Sequence, residues 1–186
     1  KIKLIDAQFN IPYSSFAHGK VLDTVFSHMD TEYGMLMDCD VACLEKDWDL
    51  KLLAKLDDKY VIIGSEYFGD KYRKFPALFA ALFSNHILQK MQISFVPEGG
   101  SIKDPQKPIT SIILTKENAA IYGREVGEKV ILDTGSELPK KVKGAGFDGI
   151  PLPSFLAGSK GARFVRRHMR AEEFQLGGTL YFAHLG

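Results

Sequence analysis

The chain is poor in nearly everything that marks a specialised composition. Cysteine occurs only at Cys39 and Cys43, a spacing that makes neither a disulfide framework nor a C-x-x-C metal knuckle. Reduced thiols in a cytosolic protein are the reading that follows. Charge of one sign is also missing: 24 Lys and Arg against 23 Asp and Glu leave a net charge of +1. No bulk field therefore holds a nucleic acid, and any anion has to be met locally. Long hydrophobic runs are absent too. The greasiest stretch, Phe75 to Phe83, falls well short of the roughly 18 apolar residues that cross a membrane, and no charged-then-apolar signal segment opens the chain. Neither a repeat nor a linker divides it. What remains, 186 residues at 45% hydrophobic and 25% charged, is the content of one globular domain over residues 1–186.

Periodicity supplies a coarse order of elements. Ile2-Lys3-Leu4-Ile5 reads as a strand entered almost at once, without a preceding methionine, and implies that something is missing upstream. Asp6 to Ser15 reads as a loop, and His18 to Met29 as a helix with Val21, Leu22, Val25 and Phe26 on one face. A strand then ends at Asp38. Asp47 is predicted to cap a helix whose Leu50, Leu53, Ala54 and Leu56 face inward, and Tyr60 to Gly64 is an apolar strand. Further on, Pro97, Gly99, Gly100, Pro105 and Pro108 mark a loop. Ser111 to Tyr122 has helical spacing, Val130 to Leu132 is a short strand, Gly135 to Phe155 is turn-rich, and Thr179 to Leu185 is an aromatic strand delivering His184. Alternation of strands and helices predicts an α/β layer with a mainly parallel sheet, whose ligands bind beyond the carboxyl ends of the strands.

The segment that carries chemistry is Tyr33-Gly34-Met35-Leu36-Met37-Asp38-Cys39-Asp40-Val41. Two acids one residue apart at the end of a buried strand repel each other, and each costs free energy to take out of water unless something cationic sits between them. A hard divalent cation, whose other positions are filled by phosphate oxygens and water, supplies that compensation. Asp38 and Asp40 are therefore predicted to form the metal and nucleotide end of an active site, with Cys39 between them needing only to be small. A calcium loop is excluded, because its Gly would fall at Cys43 and its Glu at Asp49.

Here the residues resemble a known family. His18-Gly19-Lys20-Val21-Leu22, then Leu36-Met37-Asp38-Cys39-Asp40, then Ile93-Ser94-Phe95 and Phe182-Ala183-His184-Leu185-Gly186, look like the centre of a GT-A glycosyltransferase, nearest to family 2. The resemblance covers about half of the chain. It implies a GT-A-like (Rossmann-like) mixed, mainly parallel sheet flanked by helices, and metal-dependent transfer of a sugar from a nucleotide diphosphate donor to an acceptor hydroxyl with inversion. Manganese or magnesium would be the cofactor. It further implies a cytoplasmic enzyme of glycan biosynthesis near the inner face of a membrane, with a nucleotide-sugar donor and a glycan or other hydroxyl acceptor as partners. Asp40 would hold the cation, Asp38 would touch the ribose or a metal-bound water, and His18, Gly19 and Cys39 would line the donor.

His184 is the third metal ligand this implies, since a neutral imidazole suits manganese; it also reads as a partly buried histidine on an aromatic strand. His18 reads equally as a polar residue at a helix start. The family's opening strands, which bind the nucleotide base, have no counterpart, so the chain is expected to be an N-terminally truncated member or a fragment. A base must take the acceptor proton. Asp133, at a strand end, is the first choice, with Glu172, Glu173 and Asp148 behind it, although Asp before Thr-Gly is also a common turn former. Lys160, Arg163, Arg166, Arg167, His168 and Arg170 would close over a diphosphate or form a solvated helix face. Two rival readings remain: a non-catalytic GT-A-like domain, and a haloacid-dehalogenase-like phosphatase. The phosphatase pattern wants Thr or Val where Ala42 stands.

Overall fold

The computed structural model describes residues 14–67, 69, 71–97, 100–101, 104–108, 111–156, 158–163 and 171–185. In chain order they form α1 (Ser14–Ser27), β1 (Tyr33–Met37), β2 (Val41–Cys43), α2 (Trp48–Leu53), β3 (Tyr60–Glu66), β4 (Pro76–Ser84) and α3 (Asn85–Lys90). There follow β5 (Gly100–Ser101), β6 (Asp104–Pro108), β7 (Ser111–Ile113), α4 (Lys116–Tyr122), β8 (Lys129–Ile131) and α5 (Leu138–Gly144). The chain closes with β9 (Asp148–Leu152), β10 (Ser154–Leu156), β11 (Glu172–Leu176) and β12 (Thr179–His184). The predicted strand at Ile2 to Ile5 lies outside the described residues. No helix among the described residues is long and apolar enough to cross a membrane.

The protein is mixed α/β, but the described strands pair mostly antiparallel. One four-stranded sheet has the order β1-β4-β3-β9 and a second the order β10-β11-β12-β2; β5-β6 and β7-β8 are two-stranded ribbons. Only β3 and β9 run parallel, so the mainly parallel sheet expected from the sequence is not found among these strands. The reason is local. The chain passes through β2 and α2 between β1 and β3, but β4 follows β3 across a loop whose described residues form no helix, and such a connection returns the chain antiparallel. β4 is the spine of this sheet, pairing with β1 on one side and β3 on the other. Its Ala77, Ala80, Ala81 and Phe83 have no exposed surface, and Phe83 stands edge-on to Phe26 of α1 at 6.0 Å. Burying such a ring contributes about 1.5–3 kcal/mol.

Several local predictions shift for identifiable reasons. α2 does start after Asp47, but Asp47 adopts a left-handed conformation with φ 53° and its side chain makes no cap bond. The helix is one short turn and a half; Leu52 is its fully buried residue, while Leu50 is 64% exposed and Ala54 also faces solvent. The helix predicted from Ser111 begins only at Lys116, because the β-branched Ile112 and Ile113 extend into β7 and Asn118 reaches back to accept a 2.8 Å bond from the Thr115 amide. The turn-rich stretch from Gly135 contains α5, with Pro139 in its first turn, and β9. Pro151 is tolerated in β9 because that strand lies at a sheet edge. The Pro- and Gly-marked loop contains the β5-β6 ribbon.

Candidate metal and phosphate site

The polarity of the first sheet decides where a site can form. β1 and β3 both run antiparallel to β4, so their carboxyl ends meet at the amino end of β4. Asp38 follows β1 there, and Tyr67 follows β3. The Asp38 amide donates to the Phe79 carbonyl at 2.8 Å, and the Val41 amide returns to the Asp38 carbonyl at 3.2 Å, closing a turn through Asp38-Cys39-Asp40-Val41. Beyond the turn the chain enters β2 of the second sheet, where Val41 lies opposite His184 of β12. The Leu185 amide donates to the Asp40 carbonyl at 3.0 Å. The two acids thus occupy the crossing between the sheets, with the late histidine delivered beside them.

His184 Nε2 is 3.3 Å from Asp40 Oδ2, and one ligand atom from each of Asp38, Asp40 and His184 lies within 4.8 Å of the others. The imidazole stacks on Phe79 at 4.9 Å, and Phe79 in turn leans on Phe174 at 5.2 Å, which limits how the ring can turn. All three side chains are half-buried. Two carboxylate oxygens and an imidazole nitrogen suit a manganese or magnesium ion that keeps positions open for water and phosphate.

A second cluster lies close by. Lys71 pairs with Asp133 Oδ2, Ser15 of α1 donates to Asp133 Oδ1 at 2.6 Å, and the Thr134 amide donates to the same oxygen at 2.8 Å. Burial alone would raise the Asp133 pKa, but the Lys71 and Ser15 hydrogen bonds, the Lys71 charge and the Thr134 amide outweigh it and hold the carboxyl below its ordinary value. The Lys71 ammonium also sits 4.3 Å above the Tyr67 ring, and Tyr67 meets Phe79 at 5.8 Å. Burial first, then the charges of Asp133 and Asp38, push the Tyr67 phenol well above its ordinary range and keep it protonated.

Glu172 stands beside the first cluster. It lies directly opposite His184 in the β11-β12 register, so the two side chains share a face at cross-strand distance. Burial raises its carboxyl above the ordinary value, opposed by the charges of His184 and then Lys71.

The remaining predicted residues fall elsewhere. Cys39 is exposed at the turn. His18 is exposed on α1 and stands outside the metal-binding group. Gly19 serves packing: a Cβ there would come within 2.7 Å of Val96 Cα and 2.8 Å of the Phe95 carbonyl. Asp148 opens β9, which runs parallel to β3, and so lies at the opposite end of the sheet. Glu173 is fully buried and accepts a 2.6 Å bond from the Arg163 amide. Of the basic run, residues 164–170 lie outside the described residues, and the Arg163 guanidinium is bonded to the Gly178 carbonyl. Sequence reasoning missed Lys71, Tyr67, Phe79 and Ser15; only Tyr67, ending an apolar strand, carried a positional signal. Comparison of the chain with protein-family models, with curated proteins and with solved structures finds no match in any of the three.

Proposed function

We propose that the protein is a metal-dependent glycosyltransferase of GT-A type, moving a sugar from a nucleotide diphosphate donor to an acceptor hydroxyl with inversion. The observation that carries the reading is the approach of Asp38, Asp40 and His184 to within 4.8 Å at the carboxyl end of β1. A manganese or magnesium ion held by the three side chains would neutralise charge on the departing diphosphate.

The protein's own residues divide the rest of the work. In an inverting transfer the acceptor oxygen bonds to the anomeric carbon as the diphosphate leaves with the bonding pair, and a carboxylate takes the acceptor proton. Asp133, engaged by Lys71, Ser15 and the Thr134 amide, suits a fixed anionic anchor for acceptor hydroxyls better than a base. Glu172 has its basicity raised by burial and suits proton uptake. Tyr67, held neutral, and the Phe79 ring give the site an apolar wall.

Thermal melting with manganese and a panel of nucleoside diphosphates tests the reading. A ligand at about a hundred times its dissociation constant adds roughly 2.7 kcal/mol to stability, so one nucleotide is expected to raise the melting temperature only with metal present. Absence of any shift sinks the transferase reading and leaves a non-catalytic domain. Release of phosphate from simple phosphoesters would replace it with a phosphatase.

A further inference from the structure

Among the described residues, charge at this end of the sheet does not balance for a diphosphate. Asp38, Asp40, Asp133 and Glu172, the last opposite His184, bring four carboxylates to it. A single divalent cation offsets half of them, and a diphosphate then adds further negative charge. Anions of this kind are held where cations or oriented donors outnumber the acids around them. Among the described residues, the ion pair with Asp133 and the Tyr67 ring contact bring the cationic side chain of Lys71 to the place.

Lys71 is also built into position rather than left to solvent. Arg124, whose side chain is only 7% exposed, donates through Nε to the Lys71 carbonyl at 2.9 Å and through Nη2 to the same carbonyl at 2.7 Å and to the Gly69 carbonyl. The Arg73 amide donates to the Tyr122 carbonyl at 2.8 Å. Arg124 follows the end of α4 across Gly123, which has φ 64°, and a Cβ at Gly123 would meet the Arg73 carbonyl oxygen at 2.5 Å. A buried guanidinium spent wholly on two carbonyls and Glu128 fixes the backbone from which Lys71 projects. The Lys71 side chain itself stays 31% exposed, open to a ligand, and three ring contacts of 4.3, 5.8 and 4.9 Å lead from its ammonium through Tyr67 and Phe79 to His184.

We infer that Lys71 is the second cation of the site: it binds the diphosphate of the donor beside the metal held by Asp38, Asp40 and His184, with Arg124 as its positioning residue. The inference rests on the metal reading of those three residues. Lys71 then shares its charge between Asp133 and the phosphate oxygens, so the pair acts as the hinge between donor and acceptor ends.

Titration calorimetry with manganese alone, then with inorganic pyrophosphate added to the manganese-loaded protein, separates the two layers. The wild type is expected to bind manganese, Asp40→Asn to lose it, and Lys71→Met to keep manganese affinity within about twofold while losing at least tenfold in pyrophosphate affinity. Lys71→Arg should recover most of that loss, and Arg124→Met should reproduce part of it. Lys71→Met paired with Asp133→Asn removes both charges together and keeps the test decisive if the single variant folds poorly. Pyrophosphate binding unchanged in Lys71→Met and in the double variant, with manganese bound, overturns the role of Lys71 alone. Failure of the wild type to bind manganese overturns the metal reading and this inference with it.

Discussion

The two four-stranded sheets divide the protein's tasks unequally. In the β1-β4-β3-β9 sheet, Val61, Ile62 and Ile63 of β3 have no exposed surface and all of β4 but Phe79 is buried, so the two central strands are closed on both faces and chemistry is confined to the strand ends. The β10-β11-β12-β2 sheet buries Phe174 and Phe182, but it also buries the polar Glu173 and Gln175 and breaks register between Phe174 and Gln175. It gives up apolar closure and in return presents Glu172 and His184 side by side. The candidate site exists only where a closed sheet, which fixes two acids at a strand end, abuts an open one that can display polar side chains.

Breaking the closed sheet should give the largest effect. Phe83→Ala removes a fully buried ring of β4 and is expected to cost about 3–5 kcal/mol, read by chemical denaturation. Breaking the crossing between the sheets should do the reverse. Asp40→Asn is expected to weaken manganese binding by more than tenfold while leaving the melting temperature of the metal-free protein equal or higher, since it relieves repulsion from Asp38. A large loss of stability in that variant would make Asp40 a structural residue.

A smaller and pH-dependent effect is expected at the second cluster. The folded pKa of Asp133 lies below its unfolded value, so ionised Asp133 contributes stability above the ordinary aspartate pKa of about 3.9, and that contribution is lost as pH falls through the folded pKa. Asp133→Asn should therefore be less stable than wild type by about 1–2 kcal/mol at pH 7, and the two melting curves should converge as the pH drops below about 4. A gap that persists in acid would show that shape, not charge, holds the Ser15–Asp133–Lys71 contact. The smallest effect belongs to the start of α4, outside both large sheets. Asn118→Ala removes the acceptor for the Thr115 amide and should cost about 0.5–1 kcal/mol, with manganese binding unchanged.

Much of the candidate site was legible because its first half is local. Asp38 and Asp40 follow an apolar run within nine residues, and a strand that stops at two acids carries its meaning without any partner. His184 was legible only through resemblance and its place on an aromatic strand. Lys71 carried no signal, since the loop after β3 has no period, and its neighbour Asp133 comes from the far side of β8. Glu172 stood among several acids of equal claim until the β11-β12 register set it opposite His184 and strand polarity sent Asp148 to the other end of the sheet. Ranking among acids is a question of distance, which spacing along the chain does not contain.

The sequence by itself determined the elements whose cause is short-range: α1 from its apolar face, the ends of β1, β3 and β12 from their apolar runs, and the acidic turn between β1 and β2. It also fixed a net charge of only +1. Tertiary structure decided the rest. It made the sheets mostly antiparallel, because β4 returns from β3 without a helix, and it chose which distant side chains share a face. Local propensity acts over a turn or a strand, whereas a candidate site drawn from Asp40, Lys71, Asp133, Glu172 and His184 depends on strand order and register, which are settled only when the two sheets pack.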